Sequence, residues 1–292
     1  MSKYVVFHVE GGLGKNVSST SVVRCIKYKY PKRKLIVVAS WPGVFINNPY
    51  VDKVYRLGVT PYFYDEYIKG KNTFIYRHEP YNESLHIHKK QCLSKSWCDL
   101  IKVPFDENQP ELYFNASQKD FVNAWRRPKP ILLLHTNGGP MGDQPYNHSW
   151  TRDMPQYISQ NIVNEYSQKY HIIQICRHES QKFTNVESHD EQMDIFNLFS
   201  LLMVSQKRVL IDSCLQHAAA ALKMPSTVLW IGTSPTTFGY EIHNNIVANE
   251  PSGNFKLPDS YLFDYQFSGQ PFECPYNDWS ELFDYEQIRE YL

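Results

Sequence analysis

The 292-residue sequence carries no net charge, because 30 basic side chains balance 30 acidic ones. No global field therefore draws the protein to nucleic acid or to an anionic membrane. No apolar run reaches the roughly 20 residues that a membrane-spanning helix needs, and no membrane insertion is expected. Met1 to Val9 is too short and too polar for a secretion signal, so a cytoplasmic location is expected. The six cysteines (Cys25, Cys92, Cys98, Cys176, Cys214, Cys274) include no C-x-x-C pair and no zinc spacing. Reduced thiols and no structural metal follow as expectations. Also missing are H-E-x-x-H, D-x-D, a nucleophile elbow and any short-period repeat.

What is present is enough apolar material for a large core: 42% of all residues are hydrophobic and 15% of all residues are aromatic. The length suits two α/β domains. Lys3 to Val9 is a β-branched run followed by a glycine-rich loop, then a helical pattern from Val17 to Tyr30, then a second strand from Lys34 to Ser40. That order opens a right-handed, parallel βαβ unit. Further strands are expected at Asp52 to Leu57, Thr73 to Arg77 and Glu111 to Phe114, with helices from Ile87 to Val103 and Gln118 to Trp125. Arg126-Arg127-Pro128-Lys129-Pro130 breaks the pattern and marks a domain boundary. The second half repeats the scheme. Strands are expected at Ile131 to His135, His171 to Cys176, Arg208 to Asp212 and Ser226 to Ile231. Helices are expected at Met154 to Tyr170, Met193 to Ser205 and Leu215 to Leu222, and an amphipathic one at Asn277 to Leu292. Two open parallel sheets are the natural architecture.

Parallel sheets bind ligands beyond the carboxyl ends of their strands, which directs attention to the loops there. Asp212 ends a hydrophobic strand, Ser213 is placed to cap the next helix, and His217 lies one turn in. The helix amides suit a phosphate or a sugar hydroxyl. Equally open at this point is a capped core helix with His217 satisfied inside. Gly11-Gly12-Leu13-Gly14-Lys15 follows the first strand but fits neither G-x-G-x-x-G nor a phosphate-binding P-loop. Glu10 beside it is a candidate base or an ordinary surface carboxylate. Thr136-Asn137-Gly138-Gly139, continuing through Asp143, His148 and Trp150, offers amides and a hydroxyl for a diphosphate, or is a tight turn without a ligand. Glu179, after the strand ending at Cys176, is placed for ribose hydroxyls or sits in a solvated loop.

Together these segments resemble the heptosyltransferase-like glycosyltransferases of family 9. Asp212-Ser213-Cys214-Leu215-Gln216-His217-Ala218-Ala219-Ala220 looks like that family's D-S-G-x-x-H-x-A-A signature, followed in the expected place by Met224 to Pro235. Gly11 to Gly14 looks like its acceptor-side glycine loop, Pro49 to Val54 like its P-x-V-D-x-V element, and Pro110-Glu111-Leu112 like the segment before its interdomain linker. The resemblance implies an α/β fold of the GT-B type, with two Rossmann-like domains facing across a cleft. Residues 1–127 would be the acceptor-side domain, 128–275 the nucleotide-sugar domain, and 276–292 a helix returning to the first domain. The length points to a short relative, of phage type.

By the same resemblance the chain would be an inverting, metal-independent enzyme. The missing D-x-D argues in the same direction, since metal-dependent single-domain glycosyltransferases hold their donor through a divalent ion. Its co-substrate would be a UDP- or ADP-linked sugar, with no other cofactor. Thr136, Asn137, Gly138, His148, Glu179, Asp212, Ser213 and His217 would hold the donor, and Gly11, Gly12, Gly14 and Lys15 would line the acceptor side. Three positions depart from the pattern. Lys15 stands where the family has an acidic base, His148-Ser149-Trp150 replaces Lys-x-Trp, and Cys214 replaces the glycine of D-S-G. The base then falls to Glu10 or Asp143, and Lys15 is free to neutralise a phosphate. The acceptor would be a glycan or a hydroxymethylated base in DNA, the latter suggested by the basic stretches Lys27 to Lys34 and Arg126 to Lys129. A non-catalytic sugar-nucleotide binder and a sugar-nucleotide epimerase are the alternatives.

Overall fold

The run Lys3–Val9 forms β1, whose Val5, Val6, Phe7 and Val9 are all buried. Burial on both faces is the mark of an inner parallel strand. The computed structural model describes residues 2–138, 149–177, 180, 182–190, 193–252, 260 and 274–292. β1 pairs in parallel with β2 (Lys34–Ala39) on one side and β4 (Asn72–Tyr76) on the other, and β3 (Lys53–Arg56) extends the sheet beyond β2. The order is β3-β2-β1-β4. The second sheet contains β5 (Ile131–His135), β6 (His171–Cys176), β7 (Glu187–Asp190), β8 (Lys207–Ile211), β9 (Thr227–Trp230) and β10 (Asn244–Val247), all parallel. Its order is β10-β9-β8-β5-β6-β7. In both sheets the chain starts at a central strand, steps outward, then returns to the other side of its start. That is the doubly wound, Rossmann-type order, complete in the second sheet and cut to four strands in the first.

Among the described residues the helices are α1 (Leu13–Lys29), α2 (Ser84–Ile87), α3 (Leu93–Leu100), α4 (Ala116–Lys119), α5 (Gln156–Tyr166), α6 (Ile195–Val204), α7 (Cys214–Ala221), α8 (Pro235–Phe238) and α9 (Tyr285–Arg289). α1 has no single apolar stripe, yet every residue from Lys15 to Ile26 is buried. It packs against β1, α3 and α7, so it is enclosed on several sides. Its serines and threonine fit there because they are small and return their hydroxyls to the helix's own carbonyls: Ser19 to Asn16, Thr20 to Val17 and Ser21 to Ser18, at 2.7–2.8 Å. Arg24, also buried, donates to both oxygens of Asp106 and lies 2.8 Å from Glu111, which fixes the chain after α3 on the back of α1.

Alternation along the strands divides the apolar residues between layers. Val5, Phe7, Leu133, Ile173 and Leu210 join one core that runs from the first sheet through α1, α3, α6 and α7 to the second. Leu132, Leu134, Val209 and Ile211 face the opposite side of the second sheet. The two halves therefore share an inner core and touch along α1 and α7.

Several expectations need correction. The C-terminal segment does not return to the first half. Leu282, Phe283 and Ile288 bury against the outer face of the second sheet, and Tyr157 of α5 donates to the Phe283 carbonyl at 2.8 Å. Arg289 and Tyr285 both bind Glu165. Its apolar residues join the cluster that α5 also lines, and only Tyr285–Arg289 is α-helical there. Glu111 to Phe114 is not a strand, since the Glu111 amide bonds the Thr20 hydroxyl instead of a neighbouring strand. The helix expected from Ile87 to Val103 is interrupted. Lys89 takes a positive φ of 55°, and α3 restarts after Cys92. Asp120–Trp125 forms a 3-10 turn that packs on α6, with the Trp125 indole donating to the Asn197 carbonyl.

Candidate functional site

The order of strands reverses between β5 and β8 in the second sheet, and the carboxyl ends of those two strands define its crevice. After β5 come Thr136, Asn137 and Gly138; after β8 come Asp212 and Ser213. The two turns lie side by side. A side chain on Gly138 would begin 3.0 Å from the Ser213 hydroxyl. The first turn is held from outside the motif. Asp153 accepts from the Gly138 amide at 3.3 Å and from the Asn137 side chain at 3.0 Å. Arg177, at the end of β6, pairs with Asp153 and donates to the Gly138 carbonyl at 3.0 Å. Burial pushes the Asp153 carboxyl above its ordinary range, against the pull of Asn137, Arg177 and the Gly138 amide. Thr136 is buried and its hydroxyl is engaged within the fold, donating to Asn137 and accepting from Gln174.

α7 begins at Ser213, whose side chain makes no capping hydrogen bond, so the expected side-chain cap is absent and the first amides of α7 are left uncapped by it. Ser213 and Cys214 are half-buried. Asp212 is buried, with 5% of its surface exposed. Burial raises its pKa, offset by the charge of Arg152 and by the Thr233 and Gln216 side chains. Arg152 is exposed and has no hydrogen-bond or ion-pair partner among the described residues. Its neighbours fix where it stands. Thr151 packs on Gly232, just beyond β9, with the Gly232 amide donating to its carbonyl at 2.8 Å. Asp153 is bound to Gly138, just beyond β5. β8 lies between β9 and β5, so Arg152 sits over the turn that starts at Asp212.

His217 is buried, its Nδ1 2.7 Å from the Tyr240 hydroxyl and its Nε2 accepting from the Gln216 amide at 3.1 Å. Burial lowers its pKa to about 3, which keeps the ring neutral. Both ring nitrogens are satisfied inside the fold. The other side of this ring meets the first half: a side chain on Gly14 would begin 2.8 Å from His217 Cδ2 and 3.3 Å from Cys214 Cα.

The first sheet reverses between β1 and β4. Gly11, with φ +96°, turns the chain from β1 toward α1 in a conformation that side chains rarely adopt. Gly12 caps α1. Glu10 pairs with Arg77 beyond β4 at 2.6 Å, both substantially exposed. Lys15 is not free. Its ammonium lies 2.6 and 2.7 Å from the two oxygens of Glu79 and over the rings of Tyr81 and Trp97, 4.7 and 5.3 Å from their centroids. From Glu79 the chain crosses to the second half, where Lys89 donates to the Gly232 carbonyl and Phe238 packs against Tyr81, His86 and His217.

The structure thus brings Gly138, Ser213, Asp212 and His217 together with Gly14, and sets Glu10 and Lys15 in two ion pairs beside them. Asp143, His148 and Glu179 lie outside the described residues. Sequence reasoning missed Glu79, Arg152, Asp153 and Tyr240. The signal available was position: Glu79 follows a strand, and Arg152 and Asp153 precede a helix. Among the described residues no group of three or more His, Cys, Asp or Glu side chains is placed to hold a metal ion. Two surface depressions of about 380 and 340 Å³ lie elsewhere, lined in part by Asn164, Ser167, Asn185 and Lys129 at the amino ends of β6 and β7. They are shallow and far from the strand ends that position chemistry.

No family model and no curated protein sequence matches the chain. Solved structures do. The glycosyl transferase family 9 protein from Veillonella parvula superposes with a TM-score of 0.66 at 9% identity, over 99% of this chain and 95% of that one. The Escherichia coli ADP-heptose lipopolysaccharide heptosyltransferase II gives 0.61 at 13%, covering 86% and 91%. The dodecameric, iron-containing heptosyltransferase TibC of enterotoxigenic Escherichia coli, in complex with ADP-D-β-D-heptose, gives 0.60 at 15%, covering 100% and 74%. The chain has the two-sheet α/β fold of family 9 heptosyltransferase structures.

Proposed function

We propose that the protein is an inverting glycosyltransferase that moves a sugar from a nucleotide-diphosphate sugar, UDP- or ADP-linked, to a hydroxyl of a glycan acceptor. The observation that carries this reading is the opposed chemistry of the two crevices. Beyond β5 and β8 stand hydrogen-bond donors and a cation, the opening amides of α7 and the exposed Arg152. Beyond β1 and β4 stand the carboxylates of Glu10 and Glu79. A leaving diphosphate needs the first set, and a hydroxyl that must lose its proton needs the second. Gly14 lets α1 and α7 pack closer between them than a side chain there would allow. One of the similar structures is an ADP-heptose heptosyltransferase and another is in complex with ADP-D-β-D-heptose, which supports an ADP-linked donor.

On this reading Arg152 and the amides of Cys214 and Leu215 take the charge that develops as the C1–O bond breaks, with no metal in that role. Ser213, Asn137 and Gly138 line the phosphates, with Asp153 and Arg177 holding the turn in place. His148 and Glu179 remain proposed donor contacts and Asp143 a proposed base. A glycan is favoured over DNA because several cations of the basic stretches are engaged within the fold. Lys27 pairs with Asp52 at 2.9 Å, Arg33 stacks on Phe74 and binds Asn72, and Arg127 pairs with Glu187 at 2.6 Å.

A thermal-shift panel of ADP-, UDP-, GDP- and CMP-linked sugars, run with and without EDTA, tests the proposal. A donor at 100 times its Kd adds about 2.7 kcal/mol of stability. The expected result is a shift with one nucleotide class, unchanged by EDTA, accompanied by slow release of free nucleotide. A shift with no release would leave a binding protein, and isomerised donor would indicate an epimerase. No shift with any of them would sink the transferase reading.

A further inference from the structure

We infer that Glu79, ahead of Glu10, is the general base that takes the proton from the attacking hydroxyl; this rests on the transferase reading above. Glu79 follows β4, the strand beside β1, so its carboxylate belongs to the crevice of the first sheet. Its Oε1 accepts from Lys15 at 2.7 Å and from the Tyr81 amide at 3.2 Å. Its Oε2 accepts only from Lys15, at 2.6 Å, among the described residues. A carboxylate offers about four lone-pair directions, two per oxygen. Oε2 therefore keeps one free, and with 43% of the side chain exposed that direction is open to an incoming hydroxyl.

Rigidity separates Glu79 from Glu10. A base must be held in reach of the proton it takes, and a small misplacement is costly. Lys15, which grips Glu79, is 95% covered, wedged over Tyr81 and Trp97, and rooted in the first turn of α1. The residue before it, Gly14, lies so close to α7 that a side chain there would run into Cys214 and His217. Glu79 is thus fixed through one side chain to the point where the halves meet. Glu10 is held only by Arg77, itself 67% exposed, and both side chains are open to solvent.

The step balances simply. As the acceptor oxygen bonds to the anomeric carbon, the bond from that carbon to the diphosphate oxygen breaks and its electron pair leaves with the nucleotide. The acceptor proton moves to Glu79 Oε2 and afterwards to water. No oxidant or further reactant is needed.

The test uses the full chain and the nucleotide sugar that stabilises it in the panel, with release of free nucleotide to water as the readout. Glu79→Gln keeps the acceptor for the Tyr81 amide and should retain the donor-induced thermal shift while lowering release about 100- to 10,000-fold. Azide, a nucleophile with no proton to lose, should restore nucleotide release in Glu79→Gln and yield the glycosyl azide. A purely structural role for Glu79 would not produce azide rescue. Release by Glu79→Gln within tenfold of the parent would overturn the inference while leaving the transferase reading standing. Loss of both release and the donor shift without azide rescue would also overturn it, assigning Glu79 to structure. No release by the parent chain with any sugar nucleotide would remove both together.

Discussion

Replacing Gly14 with alanine probes the junction on which the proposed site depends. Two effects oppose each other. Alanine favours a helix interior over glycine by up to about 1 kcal/mol, so propensity alone predicts a more stable protein. The new methyl would, however, begin 2.8 Å from His217 Cδ2, 3.4 Å from its Nε2 and 3.3 Å from the Cα of Cys214. The Cα belongs to backbone and cannot yield alone. The ring is buried and tied by two hydrogen bonds, to Tyr240 at 2.7 Å and from Gln216 at 3.1 Å, and moving it forfeits about 1 kcal/mol for each bond broken. Overpacking of this kind typically costs about 1–3 kcal/mol. The clash outweighs propensity, and a net loss of about 1–2 kcal/mol is expected.

Urea denaturation followed by tryptophan fluorescence measures the difference through the transition midpoint. The same substitution in a His217→Ala background removes the nearest obstacle. There Gly14→Ala should be close to neutral, so the double-mutant cycle should give a coupling of about 1–2 kcal/mol. A midpoint that rises when Gly14→Ala is made in the parent protein would show that the halves do not meet at this point. The shared position of the two crevices would then have to be given up.

Arg152→Ala should change the unliganded melting temperature only slightly, because the side chain is exposed and its one described interaction is the charge it sets over Asp212. A charge-assisted hydrogen bond is worth roughly 1.5–3 kcal/mol, so its loss should weaken the stabilising nucleotide sugar at least tenfold, read as a rightward move of the thermal-shift titration. Stability should also fall steeply in mild acid. Burial lowers the pKa of His86, His135 and His243 to about 4 and that of His217 to about 3. Above the unfolded value of about 6.5 neither state binds these protons and stability is complete. As pH falls from there toward 4, only the unfolded chain takes them up, and each histidine removes up to about 1.4 kcal/mol per pH unit. Melting temperatures that stay level between pH 6.5 and 5 would contradict the enclosed, neutral state of these rings.

Most of the fold was legible because inner parallel strands are written as apolar runs. KYVVFHV, KLIVVA, ILLLH and HIIQIC announce themselves, and the spacing of glycines and Asp212-Ser213 marks the loops that follow. The edge strands of the second sheet were not legible, whereas those of the first, β3 and β4, were. β7 is ESHD, with no hydrophobic pattern at all. It forms because it pairs with β6 and because Glu187 is gripped by Arg127, His171 and His189, which hold its carboxyl near the bottom of the carboxylate range. β10, NNIV, depends in the same way on β9. The C-terminal stripe was legible as amphipathic, but periodicity names a buried face and not its partner. The supports of the site were hidden for a related reason. Asp153 meets Arg177 across 24 residues and Lys15 meets Glu79 across 64, and no local pattern records such a pairing.

A doubly wound sheet by itself hosts many activities, so the fold shared with family 9 structures does not decide what this chain does. Duplication sharpens the inference. One such sheet presents one crevice, which suits a single ligand; on the transferase reading, two sheets supply one crevice for each of two reacting ligands. The division of charge then matters. Arg152 and the opening amides of α7 gather on one side, and the carboxylates of Glu10 and Glu79 gather on the other. On the transferase reading, mixing them would place the anionic leaving group beside carboxylates. The first sheet gives each carboxylate its own cation, Arg77 for Glu10 and Lys15 for Glu79, so neither pairs with Arg152. Gly14 can sit between the two sides because it contributes no side chain to separate them. On the transferase reading, the lysine after that glycine serves the base side of the reaction rather than the phosphate.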